Sequence, residues 1–161
     1  MRKVLFEVPS CGIKFTGTLR DGKDQEPEMA QNFWEFIEKP VKFFSHPTLS
    51  TGDLTVLFPR PPIDPPKYIG DQTSPISEKS PILCSGDGEL EVRAGEFIWC
   101  GWNVLFCYGP KCTEPLESGG AYVLQVDEEC LDDLEVARED LWNHTFLYHK
   151  CGTITISRLE D

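Results

Sequence analysis

An imidazole, a hydroxyl and a carboxylate fall close together in this chain at His46, Ser50 and Asp53. Imidazole titrates nearest neutrality of the ordinary side chains, so His46 could act as a general base if Asp53 or Ser50 orients it. Aromatic residues that could wall a small-molecule pocket stand at Phe58, Trp102, Phe106 and Tyr108. A titratable group, a carboxylate and apolar walls are the usual make-up of such a pocket. The same residues also have plainer uses. Asp53 stands at a strand start, where carboxylates commonly cap turns, and His46 directly precedes Pro47, a position with a structural reading of its own.

A metal centre would need His46, His144 and His149 to converge with a cysteine or carboxylate. His144 and His149 are five apart, a spacing unsuited to one helical face and expected in the loop before the last strand. No metal and no other cofactor is expected. The seven cysteines (Cys11, Cys84, Cys100, Cys107, Cys112, Cys130, Cys151) include no C-x-x-C spacing, which signals neither a disulfide framework nor a zinc ribbon. Buried free thiols acting as small hydrophobes are the expectation, as for Cys107 within Val104-Leu105-Phe106-Cys107-Tyr108. Trp34, Trp99 and Trp142 lie on apolar stripes and read as core.

The elements that must position these groups follow from periodicity. Val4, Phe6 and Val8 alternate, and after a turn at Pro9 to Gly12 so do Ile13, Phe15, Gly17 and Leu19, which predicts two strands. Pro27 then opens a helix carrying Met29, Ala30, Phe33, Trp34 and Ile37, ending before Pro40. Period two returns at residues 42–44 and 54–58. From Pro59 to Gly88 a proline-rich stretch cannot sustain ladder hydrogen bonds and reads as a long loop, either a lid or a contact between copies in a homo-oligomer. Short strands follow at 89–92, 95–99 and 104–108, then one at 121–126. Asp127 is the expected N-cap of a second helix with Leu131, Leu134 and Leu141 on one stripe, and Thr153 to Leu159 close the chain as a strand.

With 161 residues one core suffices, so residues 1–161 are expected to form a single domain. The net charge of −12, from 27 acidic and 15 basic side chains, opposes nucleic-acid phosphates and anionic lipid. No apolar run approaches a membrane span, and Glu7 and Pro9 interrupt any secretory leader, so a cytoplasmic location and no membrane partner are expected.

This order of elements, with particular residues at its joints, resembles a cyclophilin. Pro27-Glu28-Met29-Ala30-Gln31-Asn32-Phe33 is similar to that family's Pro-x-x-Ala-x-Asn-Phe helix start. Asn103 to Cys107 followed by a loop and Ala121 to Val126 resembles its strand, loop and strand, and Lys150 to Leu159 its closing strand. The small bacterial cyclophilin-like proteins of unknown function, with a Gly-Asp strand running to a Trp before an apolar strand ending in aromatic-Gly, are more similar still, Glu96 standing here for the aspartate. Gly95-Glu96-Phe97-Ile98-Trp99, Phe106-Cys107-Tyr108-Gly109-Pro110 and Leu54 to Pro62 carry that likeness.

The resemblance implies a mainly β fold, a closed eight-stranded cyclophilin-like β-barrel capped by two α-helices. It also implies that prolyl isomerase activity is not efficient. The strand expected to carry Phe-His-Arg reads Phe43-Phe44-Ser45-His46-Pro47, and Ser50 stands where the family has glutamine. Phe106 keeps a pocket phenylalanine, but the loop from Lys111 to Gly120 has neither the family's tryptophan nor its histidine. The remaining expectation is a small organic ligand, a carboxylate, amide or cyclic imide, on the barrel face formed by His46, Ser50, Asp53, Phe58, Trp102, Phe106 and Tyr108. A weak isomerase and a non-catalytic interaction module are the alternatives.

Overall fold

A computed structural model describes residues 1–47, 53–60, 93–99, 103–109 and 120–160. Its elements are β1 (Lys3–Val8), β2 (Ile13–Leu19), α1 (Pro27–Phe36), β3 (Val41–Pro47), β4 (Leu54–Arg60), β5 (Glu96–Trp99), β6 (Val104–Cys107), β7 (Ala121–Val126), α2 (Leu131–Phe146) and β8 (Thr153–Leu159). The eight strands close into one barrel in the order β1-β2-β7-β5-β6-β4-β3-β8. Every pair is antiparallel. Most of the proline-rich stretch, the strand expected at 89–92, Ser50, Trp102, Cys84, Cys100 and Cys112 lie outside the described residues.

Alternation sends Val4, Phe6 and Val8 of β1 and Phe15 and Leu19 of β2 into the barrel, where they meet Phe97, Phe106 and Ile156. Phe6 stacks between Phe15 at 4.8 Å and Phe106 at 5.6 Å, and Phe97 meets Phe106 edge-on at 5.5 Å. Each such buried ring contributes roughly 1.5–3 kcal/mol from apolar area alone. The helices close the two ends. Phe33 and Phe36 of α1 pack on Trp99 at the end of β5, at 5.4 and 5.2 Å. Leu134, Ala137 and Leu141 form the buried stripe of α2 at the other end. Leu141 sits so close to Gly152 that a Cβ there would lie 2.7 Å from its Cδ2.

Three expectations change. Trp99 is core, but Trp34 and Trp142 are only half-buried. Trp34 lies beneath the Arg2 and Arg158 guanidiniums, 5.0 and 4.6 Å from its ring centre, while Trp142 packs on Phe146 of its own helix. His144 is in the last turn of α2, not in the following loop, and its Nδ1 lies 2.8 Å from the Asp140 carbonyl. Of the described cysteines Cys107 is buried, Cys11 and Cys130 are partly so, and Cys151 is exposed.

Asp127 supplies the third change, since its side chain caps no helix. A 3-10 turn, Glu128–Cys130, intervenes before α2, and the Asp127 carboxylate turns back to accept Lys3 Nζ at 2.8 Å, Thr16 Oγ1 at 2.5 Å and Thr18 Oγ1 at 2.6 Å. A buried carboxylate needs several donors, and here Lys3 and the outward hydroxyls of β2 supply them while no helix amide does. Burial would raise its pKa, but the hydrogen bonds from Lys3, Thr16 and Thr18, with the Lys3 charge, outweigh that and hold it below the usual carboxylate value. The folded value is depressed, so this clasp stabilises fully above the unfolded carboxylate range near ~3.9 and is lost as pH falls through the folded value. Asp127→Asn is expected to cost about 2–3 kcal/mol in urea unfolding at pH 7, with the difference from the parent shrinking below about pH 4. Equal stability of the two proteins at pH 7 would contradict the clasp.

Candidate functional site

β3 and β4 pair in a register that sets Lys42 opposite Arg60, Phe44 opposite Phe58 and His46 opposite Val56. Facing pairs share one side of a sheet, so these six side chains line the outside of the barrel. The intervening residues Phe43 and Ser45 of β3, with Thr55 and Leu57 of β4, are buried toward the interior. On the outside Lys42, His46 and Arg60 are exposed, and Phe44, Val56 and Phe58 are half-buried. The Phe44 ring receives Lys42 Nζ at 5.6 Å and Arg60 Cζ at 5.4 Å from its centre. Beyond Val56 the outward side of the sheet continues as a buried apolar cluster, Leu54, Ile98, Leu105 and Cys107 on β4, β5 and β6.

The candidate residues therefore divide between two faces. His46 and Phe58 point outward, whereas Phe106 and Tyr108 belong to the interior core. Asp53, immediately before β4, keeps the inward parity of Thr55 and is buried. Its backbone carbonyl accepts Tyr108 N at 2.9 Å and Gly109 N at 3.0 Å, joining the start of β4 to the end of β6. Inside, Ser45 Oγ and Thr55 Oγ1 satisfy each other at 2.6 Å. The Tyr108 hydroxyl has no hydrogen-bond partner among the described residues. Burial pushes that phenol well up; the Arg138 charge and the Thr55 hydroxyl oppose the shift and Asp53 adds to it. Tyr108 is thus a neutral wall residue at physiological pH. Ser50 and Trp102 lie outside the described residues.

Lys42, Phe44 and Arg60 are the outer-face residues that single-strand periodicity does not pick out. Lys42 to Phe44 and Leu54 to Phe58 are legible as strands, but only the cross-strand register brings Arg60 over the same ring as Lys42.

A second group of reactive side chains lies where the β1–β2 turn meets α2. Ser10 Oγ donates to Asp140, and His144 Nδ1 is 3.5 Å from the same carboxylate. Both contact the carboxylate, not each other, so the arrangement lacks the hydroxyl-to-imidazole contact that activates a nucleophile. Burial, the largest cause, raises the neighbouring Cys11 thiol, with Asp140 adding to the shift, which keeps it protonated. Among the described residues no group of three histidine, cysteine or acidic side chains could hold a metal ion, and no helix is long and apolar enough to cross a membrane.

No protein-family model matches the chain, and no curated protein matches it. Among solved structures it is similar to that of McbB in complex with tryptophan, with 18% identity and a TM-score of 0.67 over 98% of this chain. The matched region is 45% of that neighbour's length. At this identity the likeness is one of fold: a related barrel carrying its helices.

Gly109 shows how tightly the inner rim is built, because a Cβ there would fall 2.1 Å from Asp53 Oδ1 and 2.6 Å from Asp53 Cα. Gly109→Ala is expected to destabilise by about 1–3 kcal/mol, the usual cost of forcing added volume into a packed site. Chemical denaturation checks this, and an unchanged midpoint would show that Asp53 does not hold this rim.

Proposed function

We propose that the chain binds a small organic molecule, a carboxylate, amide or cyclic imide, on the outward face of β3 and β4, and that His46 serves there as the general base. The observation that carries this reading is an exposed imidazole in line with a half-exposed aromatic pair, Phe44 and Phe58, held in register across two strands. The rings offer an apolar surface for a flat ligand, and the exposed imidazole beside them is open to hydrogen bonding with it. A protein of related fold described in complex with tryptophan, itself a carboxylate with a flat ring, is consistent with that ligand class.

Asp53 is not the partner of His46 in this reading. It is buried on the opposite face and supports the site by tying Tyr108 and Gly109 to the start of β4. Phe106 and Tyr108 likewise support the sheet from within.

The cyclophilin resemblance continues to argue against efficient prolyl isomerisation. That reaction is helped by a donor aimed at the amide while its conjugation breaks. Ser45, within the stretch that should carry the arginine, turns inward to Thr55. Arg60 is on the outer face but opposite Lys42, four residues along β3 from His46, or roughly 13 Å at ~3.3 Å per residue.

Thermal-shift screening against small carboxylates, amides and cyclic imides is expected to show a raised melting point with at least one of them, since a ligand bound only by the native state stabilises it. His46→Ala should abolish turnover of such a ligand while leaving the unliganded melting point unchanged. A proline-peptide assay is expected to stay near background. Undiminished turnover in His46→Ala, or isomerisation well above background, would overturn the respective halves of this proposal.

A further inference from the structure

Lys42 and Arg60 stand directly opposite one another on the outer face, both exposed and both drawn to the ring of Phe44. Like charges facing each other across an antiparallel pair repel. Neither pairs with a carboxylate among the described residues, although the chain carries 27 acidic side chains. Four other cations are matched, Arg2 with Asp21 at 2.7 Å, Lys3 with Asp127 at 2.8 Å, Lys14 with Glu7 at 2.8 Å, and Arg138 with Glu135. What sets Lys42 and Arg60 apart is that two cations unmatched among the described residues face each other in register over one ring. In an acidic protein, two cations that face each other with no counter-charge among the described residues mark a place suited to negative charge supplied from outside. Cation–π attraction to Phe44 orients them but does not neutralise them.

Resting on the reading of this face as the ligand face, we infer that Lys42 and Arg60 form its anion-recognising end and that the ligand is an elongated organic carboxylate. Its carboxylate meets the two cations, its planar apolar body lies over Phe44 and Phe58, and a hydrogen-bonding group at its far end reaches His46. Arginine suits the first role because its planar fork presents several N–H groups at once, and lysine adds a point charge beside it. One Arg60 N–H group donates to the Pro59 carbonyl at 3.3 Å, which fixes the head over the ring and leaves its other donors for the ligand. The spacing follows from the strand: at ~3.3 Å per residue Phe44 lies about 7 Å from both Lys42 and His46.

Isothermal titration with 3-phenylpropionate and with its neutral amide tests this. The parent protein is expected to bind the acid at least tenfold more tightly than the amide. In the Lys42→Gln, Arg60→Gln double variant that ratio should fall to within twofold of one, with affinity for the amide unchanged within twofold. Its melting point should hold or rise, because both side chains are exposed and their repulsion is removed. Each single variant is read in the same way and should lower the ratio at least threefold, while Phe44→Ala should weaken acid and amide alike. A ratio near one in the parent, or one that survives the double variant, overturns the anion-recognising role while leaving the face as a ligand site. Binding of neither probe overturns both.

Discussion

In a closed antiparallel barrel a side chain has two destinations, the interior or the outside, and the pleat assigns them alternately along each strand. Once β1 is fixed with Phe6 inward, the pairing of each neighbour follows, through Phe15 opposite Phe6 on β2 and Ile156 opposite Phe6 on β8. The described interior is then filled by stacked rings and stoppered at both ends by helices. Few polar groups sit within it: Ser45 and Thr55 answer each other, and Asp53 and the Tyr108 hydroxyl lie buried at one rim. Reactive groups open to solvent are thereby placed on the outer face or the rims, and His46 is outside for the same reason that Phe43 and Ser45 are inside.

Electrostatics sharpen the contrast between the two sides. Around Asp127, a buried carboxylate in an acidic chain, two threonines and a lysine converge, joining the first two strands to the entry of α2. That arrangement is self-sufficient: its charge is matched and its hydrogen bonds are filled. On β3 and β4 two cations share one aromatic ring and neither meets a carboxylate among the described residues. Structural charge and recognition charge are distinguished here by whether the fold supplies the partner.

Much of the barrel was legible in the sequence because period two in Val4-Phe6-Val8, Leu54-Val56-Phe58 and Ile154-Ile156 needs no tertiary information. Pro27 likewise announces the first turn of α1. Asp127 was misread for a physical reason: an aspartate before a helix signals a cap, but the hydroxyls that capture it are more than a hundred residues away in sequence. Trp34 and Trp142 mislead because an amphipathic tryptophan satisfies an apolar stripe while keeping one face toward guanidiniums or a ring of its own helix. The site was half legible. Residue types near His46 suggested chemistry, yet nearness along the chain does not reveal that His46 and Asp53 leave the sheet on opposite sides, nor that Arg60 comes to lie above Phe44. Those facts reside in the register between strands.

A crystal structure of the protein with 3-phenylpropionate bound would decide which face takes the ligand. The ring is expected over Phe44, with its carboxylate within hydrogen-bonding distance of Arg60 and Lys42. A molecule seated instead at the α2 end of the barrel beside Asp53 and Tyr108, with the outer face of β3 and β4 bare, would contradict the reading of that face as the site.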